Sequence, residues 1–160
     1  MESKKQYIHI LMDALKKKKV ALEHIKVLTE QQTELLAEQR VDFEKFDTLI
    51  QEKKIYLDEI EKLDDGFVVT FEKIREYMAD NKESLSDEIN DMQNSIREIT
   101  SLAVDIQTME RRNKQSFELA MSRERQSIKL RRQSKQSASK YYQNVMRATS
   151  EESFYMDKKK

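Results

Sequence analysis

The feature that most constrains this chain is a run of apolar residues that recur at alternating four- and three-residue steps. The run consists of Leu85, Ile89, Met92, Ile96, Ile99, Ala103 and Ile106. In one α-helix this spacing places every member on the same face, as in a coiled-coil heptad. The register continues through Glu110, Asn113, Phe117 and Ala120, so two polar residues interrupt its later part. The pattern predicts a long helix from about residue 85 to residue 132.

Two earlier segments show the same helical spacing. The first covers residues 4–38 and the second begins near Phe43. The breaks are predicted at residues 39–42, where Asp42 can cap the next helix, and at residues 80–84. The chain has one Gly and no Pro in 160 residues, which excludes a fold that needs many tight turns. That one glycine, Gly66, is expected to kink the second helix rather than to end it.

The predicted fold is therefore all-α. We expect long antiparallel helices that form a coiled-coil-like hairpin or a three-helix bundle, with the third helix overhanging its partners. Apolar residues beyond residue 113 then lack a covering segment within the chain. An amphipathic stripe resumes at Ala138, Tyr141, Tyr142, Val145 and Met146. We assign residues 1–147 to one domain and expect residues 148–160 to form a disordered tail.

The net charge of zero conceals a strong separation of charge along the chain. Residues 38–98 hold nine basic and eighteen acidic residues, whereas residues 111–147 hold eleven basic and two acidic ones. The basic segment has the composition of a surface that binds an acidic partner. It could also contact phosphates, but the acidic middle of the chain would repel a nucleic acid.

Several chemistries are excluded by the residue types that the chain lacks. With no Cys there is no thiol nucleophile and no cysteine zinc site. A chain with one Gly cannot form a glycine-rich phosphate loop. We expect no enzyme activity, no metal and no cofactor. No signal peptide or membrane span is visible, and we expect a cytoplasmic location without stable membrane insertion.

Two polar residues admit a structural interpretation beside a functional one. Lys53 lies at the edge of the second stripe, where it could pair with Glu110. The pattern favours instead a lysine whose stem covers apolar surface while its ammonium reaches solvent. Asn113, a polar residue within the seam, is interpreted chiefly as a residue that fixes the register of packed helices.

Three segments resemble the flagellar type III export chaperones of the FlgN type. The first is the leucine-rich stretch from Leu22 to Leu36. The second runs from Asp42 to Leu57 and resembles a D-x-E, L and E-K-x-x-L pattern, with one additional residue before Leu57. The third runs from Ile106 to Asn113, where Asn113 keeps the second Asn of an apolar-x-x-x-N-x-x-N segment. A basic helix follows, and the resemblance covers about residues 7–146.

The resemblance implies a chaperone that binds the helical C-terminal segments of flagellar hook-associated proteins and keeps them unassembled and export-competent. Chaperones of this type grip their clients largely through their own C-terminal helix. We therefore expect the client-binding residues in the C-terminal third of the chain. They are Asn113, Phe117, Met121, Arg125, Ile128, Leu130, Arg131, Arg132, Tyr141, Tyr142, Val145 and Met146.

Two other functions fit the sequence. A structural coiled-coil dimer or scaffold would cover the C-terminal apolar residues with a second copy of the chain. A nucleic-acid or lipid binder would use the basic segment, and its affinity would fall steeply with salt.

Overall fold

The computed structural model describes the backbone of residues 2–124 and 128–158, and the side chains of residues 4–124, 132–133 and 135–148. Its helices are α1 (Glu2–Leu36), α2 (Phe43–Asp80), α3 (Ser86–Arg123) and α4 (Ile128–Lys158). The described residues contain no strand. The all-α prediction is confirmed.

The first two turns lie where the sequence places them. Asp42 is the N-cap of α2, and its Oδ1 accepts a hydrogen bond of 3.1 Å from the backbone amide of Lys45. This bond satisfies one of the amides that the first turn of a helix leaves unpaired. The second turn covers residues 81–85, between the last residue of α2 and the first of α3.

Helix α2 passes through Gly66 without a break. No glycine has a positive φ, so Gly66 does not act as a left-handed helix terminator. The prediction that α2 is one long helix is confirmed.

Helix α1 packs along both α2 and α3. It runs parallel to α3, because successive polar pairs keep nearly constant separation along the sequence: Lys19 with Glu98, Thr29 with Glu110, and Thr33 with Asn113. The core is formed by the stripes of the three helices. Its buried members include Leu11, Ile25, Phe46, Ile60, Ile74, Ile99 and Ile106.

The expectation of a third helix that reaches residue 132 and overhangs its partners is wrong. Helix α3 ends at Arg123, and Glu124 adopts an extended backbone with ψ of 101°. The heptad register beyond Ala120 falls on Glu124, Ser127, Arg131 and Ser134, which are all polar. A helix continued in that register would bury no apolar face, so the chain breaks there and a fourth helix begins.

Helix α4 packs against α2 and α3, the same two helices that α1 contacts. Among the described residues, the backbone of α4 does not come close to that of α1. Helices α1 and α4 therefore lie on opposite sides of the groove between α2 and α3. The last turns of α4 include residues 148–158, where the sequence predicts a disordered tail. The boundary of the folded domain at residue 147 stays a prediction.

Candidate functional site

The residues predicted to bind a client fall on two helices that face each other. Asn113, Phe117 and Met121 lie on α3 and are buried. Tyr141, Tyr142 and Val145 lie on α4 and are buried too, Met146 is half-buried, and Arg132 is exposed. Ile128, Leu130 and Arg131 are in α4 but their side chains lie outside the described residues, as does the whole of Arg125.

The expectation that these apolar residues lack a covering segment within the chain is wrong. Phe117 stacks on Phe46 of α2, with ring centroids 4.9 Å apart, and meets Phe43 edge to face at 5.7 Å. Met121, one turn further along α3, belongs to the same buried cluster. The α3 half of the predicted surface is therefore part of the core.

The α4 half of the predicted surface covers the groove between α2 and α3. Its buried residues are Ala138, Tyr141, Tyr142 and Val145, at the i, i+3, i+4 and i+7 positions of one helical face. These four residues join the buried cluster that contains Phe117. The resumed stripe that the sequence predicts is confirmed, but its partner is this chain's own core.

A buried ion pair lies at the centre of the bundle. The Lys53 ammonium of α2 is 2.5 Å from Glu110 Oε1 of α3, and both side chains have no exposed surface. Lys53 also donates to Gln32 Oε1 and, at 3.2 Å, to the Thr29 hydroxyl of α1. Thr29 in turn donates to Glu110 at 3.0 Å. The favoured interpretation of Lys53 as a surface lysine is wrong, and the pairing with Glu110 is confirmed.

Helix α4 reaches this ion pair through Tyr141. The Tyr141 hydroxyl donates a hydrogen bond to Glu110 Oε1, and the Lys53 ammonium lies 4.0 Å from the centre of the Tyr141 ring. Burial lowers the pKa of Lys53 to about 8, against the opposing attraction of Glu110. Burial, followed by the charge of Glu110, raises the pKa of Tyr141 well above its ordinary value. All four helices thus meet at one polar layer.

The neighbouring tyrosine lacks such a partner. The Tyr142 hydroxyl is buried and has no hydrogen bond within the described part of the chain. Burial, with the charges of Glu110 and Glu118, raises the pKa of Tyr142. A buried hydroxyl without a hydrogen bond costs free energy relative to water, so this side of α4 fits the groove imperfectly.

Asn113 joins α3 to α1 one turn away from the ion pair. Its amide nitrogen donates to the Thr29 carbonyl oxygen at 3.2 Å, and its Oδ1 accepts from the Thr33 hydroxyl at 2.8 Å. These bonds fix one axial position of α3 against α1. The structure thereby supports the interpretation of Asn113 as a register residue.

Neither the buried roles of Thr29 and Gln32 nor the link from Tyr141 to Glu110 was predicted from the sequence. A signal was present for the α1 residues. Thr29 and Gln32 continue the four- and three-residue steps that begin at Leu22 and Ile25. Polar residues within the stripes of two helices indicate a buried polar layer between them. The tyrosine link could be found only from the direction in which α4 runs along the bundle.

The described side chains around this site are strongly basic on the outside. Exposed bases on α3 and α4 are Arg111, Arg112, Lys114, Arg123, Arg132, Lys135, Lys140 and Arg147. In contrast, α2 carries eleven acidic and six basic residues. A partner with acidic flanks would meet complementary charge here.

A cavity of about 580 Å³ lies between α2 and the later part of α4. Leu57, Ile60 and Val68 of α2 line it, together with Asn144 and Arg147 of α4. Residues 144–148 of α4 therefore do not pack fully against α2.

The described residues contain no group of His, Asp and Glu side chains that could hold a metal ion. In the same part of the chain, no helix is long and apolar enough to cross a membrane.

Comparisons with known proteins agree with the resemblance noted in the sequence. No curated protein and no solved structure matches the chain. A family model described as FlgN protein, however, matches residues 1–148, which is most of the chain. The chain therefore belongs to the FlgN family of flagellar export chaperones.

Proposed function

We propose that this protein binds the helical C-terminal segments of flagellar hook-associated proteins in the cytoplasm and keeps them unassembled until export. Membership of the FlgN family supports the general role of an export chaperone. The observation that carries the more specific proposal is the α4 docking face, which consists of Ala138, Tyr141, Tyr142 and Val145 in the groove between α2 and α3. A groove that holds an amphipathic helix in this way has the shape and chemistry for a helical client.

We propose that the contacts with the client are drawn from the twelve residues between Asn113 and Met146 that the sequence singles out. Apolar members would supply affinity at about 25 cal/mol per Å² removed from water. The basic residues Arg125, Arg131 and Arg132 would orient a client with acidic flanks and accelerate its encounter. Six of the twelve are buried and would become available only through a local opening of the bundle: Asn113, Phe117, Met121, Tyr141, Tyr142 and Val145.

The experiment is a binding titration of the full chain with labelled peptides from the C-terminal segments of hook-associated proteins. We expect saturable binding that is absent for a scrambled peptide. Reversing two exposed charges near the site, with Arg132→Glu and Lys135→Glu, should slow association. The matched control, Lys16→Glu with Lys82→Glu, makes the same charge change at exposed positions of α1 and the second turn. Absence of binding to every hook-associated segment would refute the proposal.

A homodimeric scaffold is less well supported. That function would need a second copy to cover Phe117, Tyr141, Tyr142 and Val145, and these side chains are already buried within one chain. Sedimentation of the full chain tests it, since a tight dimer would favour the scaffold.

A further inference from the structure

We propose that α4 occupies the client's own binding site, so that a client helix binds by displacing α4 from the groove between α2 and α3. This inference rests on the proposed function and specifies how the site is regulated. The ligand class is an amphipathic helix that resembles α4. It has an apolar face at i, i+3, i+4 and i+7 spacing and a side chain that can donate a hydrogen bond to Glu110.

Helix α4 fills the side of the groove that α1 leaves open. Helix α1 already packs along α2 and α3 on one side, and α4 covers the other side. The sequence-predicted client residues divide between the groove and its occupant, with Phe117 and Met121 on α3 and Tyr141, Tyr142 and Val145 on α4. A client that uses the α3 residues must therefore compete with the α4 residues.

Within the described residues, the contact that holds α4 in the groove is imperfect. Its described buried residues span two turns, from Ala138 to Val145. One specific bond, from the Tyr141 hydroxyl to Glu110, fixes it to the buried ion pair. Against this, the Tyr142 hydroxyl is buried without a partner in the described structure. A helix held in this way can be replaced by one that fits slightly better.

The other hydrogen bonds of Glu110 in the groove do not depend on α4. Glu110 keeps its bonds from Lys53 and Thr29, which come from α2 and α1. When α4 leaves, its bond from Tyr141 can be replaced by a bond from the incoming helix. Replacement of α4 by a client helix therefore needs no rearrangement of the other residues of the polar layer.

The two adjacent tyrosines allow a matched test in the full chain. Tyr141→Phe removes the hydroxyl that holds α4 to Glu110, so α4 should dock less tightly and a client peptide should bind about tenfold more tightly. Tyr142→Phe removes a buried hydroxyl that has no partner, so α4 should dock more tightly and the same peptide should bind about fivefold more weakly. Both variants lose one tyrosine hydroxyl, but the expected changes in peptide affinity have opposite signs.

The peptide used is the C-terminal helical segment of a hook-associated protein, with affinity read by fluorescence anisotropy. Hydrogen exchange of the amides in residues 138–148 reports α4 directly: exchange should be faster in Tyr141→Phe, slower in Tyr142→Phe, and faster in the natural chain when peptide is added.

Three results would overturn the proposal that the client displaces α4. The two variants could shift affinity in the same direction, they could leave it unchanged, or α4 could stay protected when peptide binds. In each of these cases the proposed function stands as long as the peptide binds. If no hook-associated segment binds the natural chain or either variant, the proposed function is wrong, and so is the displacement of α4.

Discussion

Lys53 Nζ lies 2.5 Å from Glu110 Oε1, and neither side chain has any exposed surface. Two charges removed from water in this way are favourable only when further hydrogen bonds satisfy them. Here Thr29 and Gln32 of α1 and Tyr141 of α4 bond to Lys53 Nζ or to Glu110 Oε1, whereas Glu110 Oε2 is buried without a hydrogen bond in the described structure. The polar layer around the ion pair therefore contains residues of all four helices, and it specifies which faces of the helices come together.

Removing one member of the pair should be strongly destabilising. Lys53→Met leaves the Glu110 carboxylate buried without its cation, and we expect the free energy of unfolding to fall by about 3–5 kcal/mol. Urea denaturation followed by circular dichroism measures the change.

The double variant Lys53→Met with Glu110→Gln is the control for that prediction. It removes both charges but keeps an amide oxygen that can accept from Tyr141 and Thr29. We expect it to recover on the order of 2 kcal/mol relative to Lys53→Met alone. If the double variant is no more stable than the single one, an uncompensated charge is not the cause of the loss.

The sequence was sufficient for the helices of the core and insufficient for the position of α4. The heptad register from Leu85 to Phe117 predicted the buried face of α3, because apolar spacing depends only on local helix geometry. Asp42 was recognised as a cap for the same reason, since its bond to Lys45 is local. The break after Arg123 was missed because a charged stretch is compatible with an exposed helix as well as with a turn.

The sequence around Lys53 could not show whether its side chain is buried or exposed. A lysine at the edge of a stripe is usually exposed, and its burial here results from Glu110, which is 57 residues away in the sequence. Only the register between α2 and α3 brings the two together. Similarly, the pairing of Tyr141 with Glu110 depends on the direction in which α4 returns.

The stability of the protein should depend on pH through Lys53. Its pKa of about 8 in the folded state lies below the ordinary value of 10.5, so between these values the unfolded chain binds more protons. Stability should therefore rise with pH across this window, by up to about 3 kcal/mol, and be independent of this group below pH 8. Because the pKa values of Tyr141 and Tyr142 are raised, stability should fall again above the ordinary tyrosine pKa of 10.

Urea midpoints measured from pH 7 to pH 11 test this profile. The double variant at Lys53 and Glu110 is the reference, because it should lose the rise but keep the fall that the tyrosines cause. A rise of equal size in the double variant would assign it to other groups.

Gly66 is a position where a substitution should stabilise the protein. It lies within α2, it has no positive φ, and a Cβ at this position would meet no atom within 4 Å. Gly66→Ala should raise the free energy of unfolding by about 0.5–1 kcal/mol, because alanine loses less backbone entropy in a helix. Gly66→Ser should give a smaller gain. A loss of stability in Gly66→Ala would mean that the glycine allows a bend that the helix needs.

Phe117 provides a test of whether the predicted client surface is part of the core. Phe117 is 2% exposed and packs on Phe43 and Phe46, whereas Leu119 on the same helix is 57% exposed. Phe117→Ala should lower the free energy of unfolding by about 3–5 kcal/mol, because it removes buried apolar area and leaves a cavity. Leu119→Ala, an apolar truncation two residues away, should change stability by less than about 0.5 kcal/mol. If the two variants are equally stable, Phe117 is not buried in the free protein and the α3 part of the predicted client surface does not belong to the core.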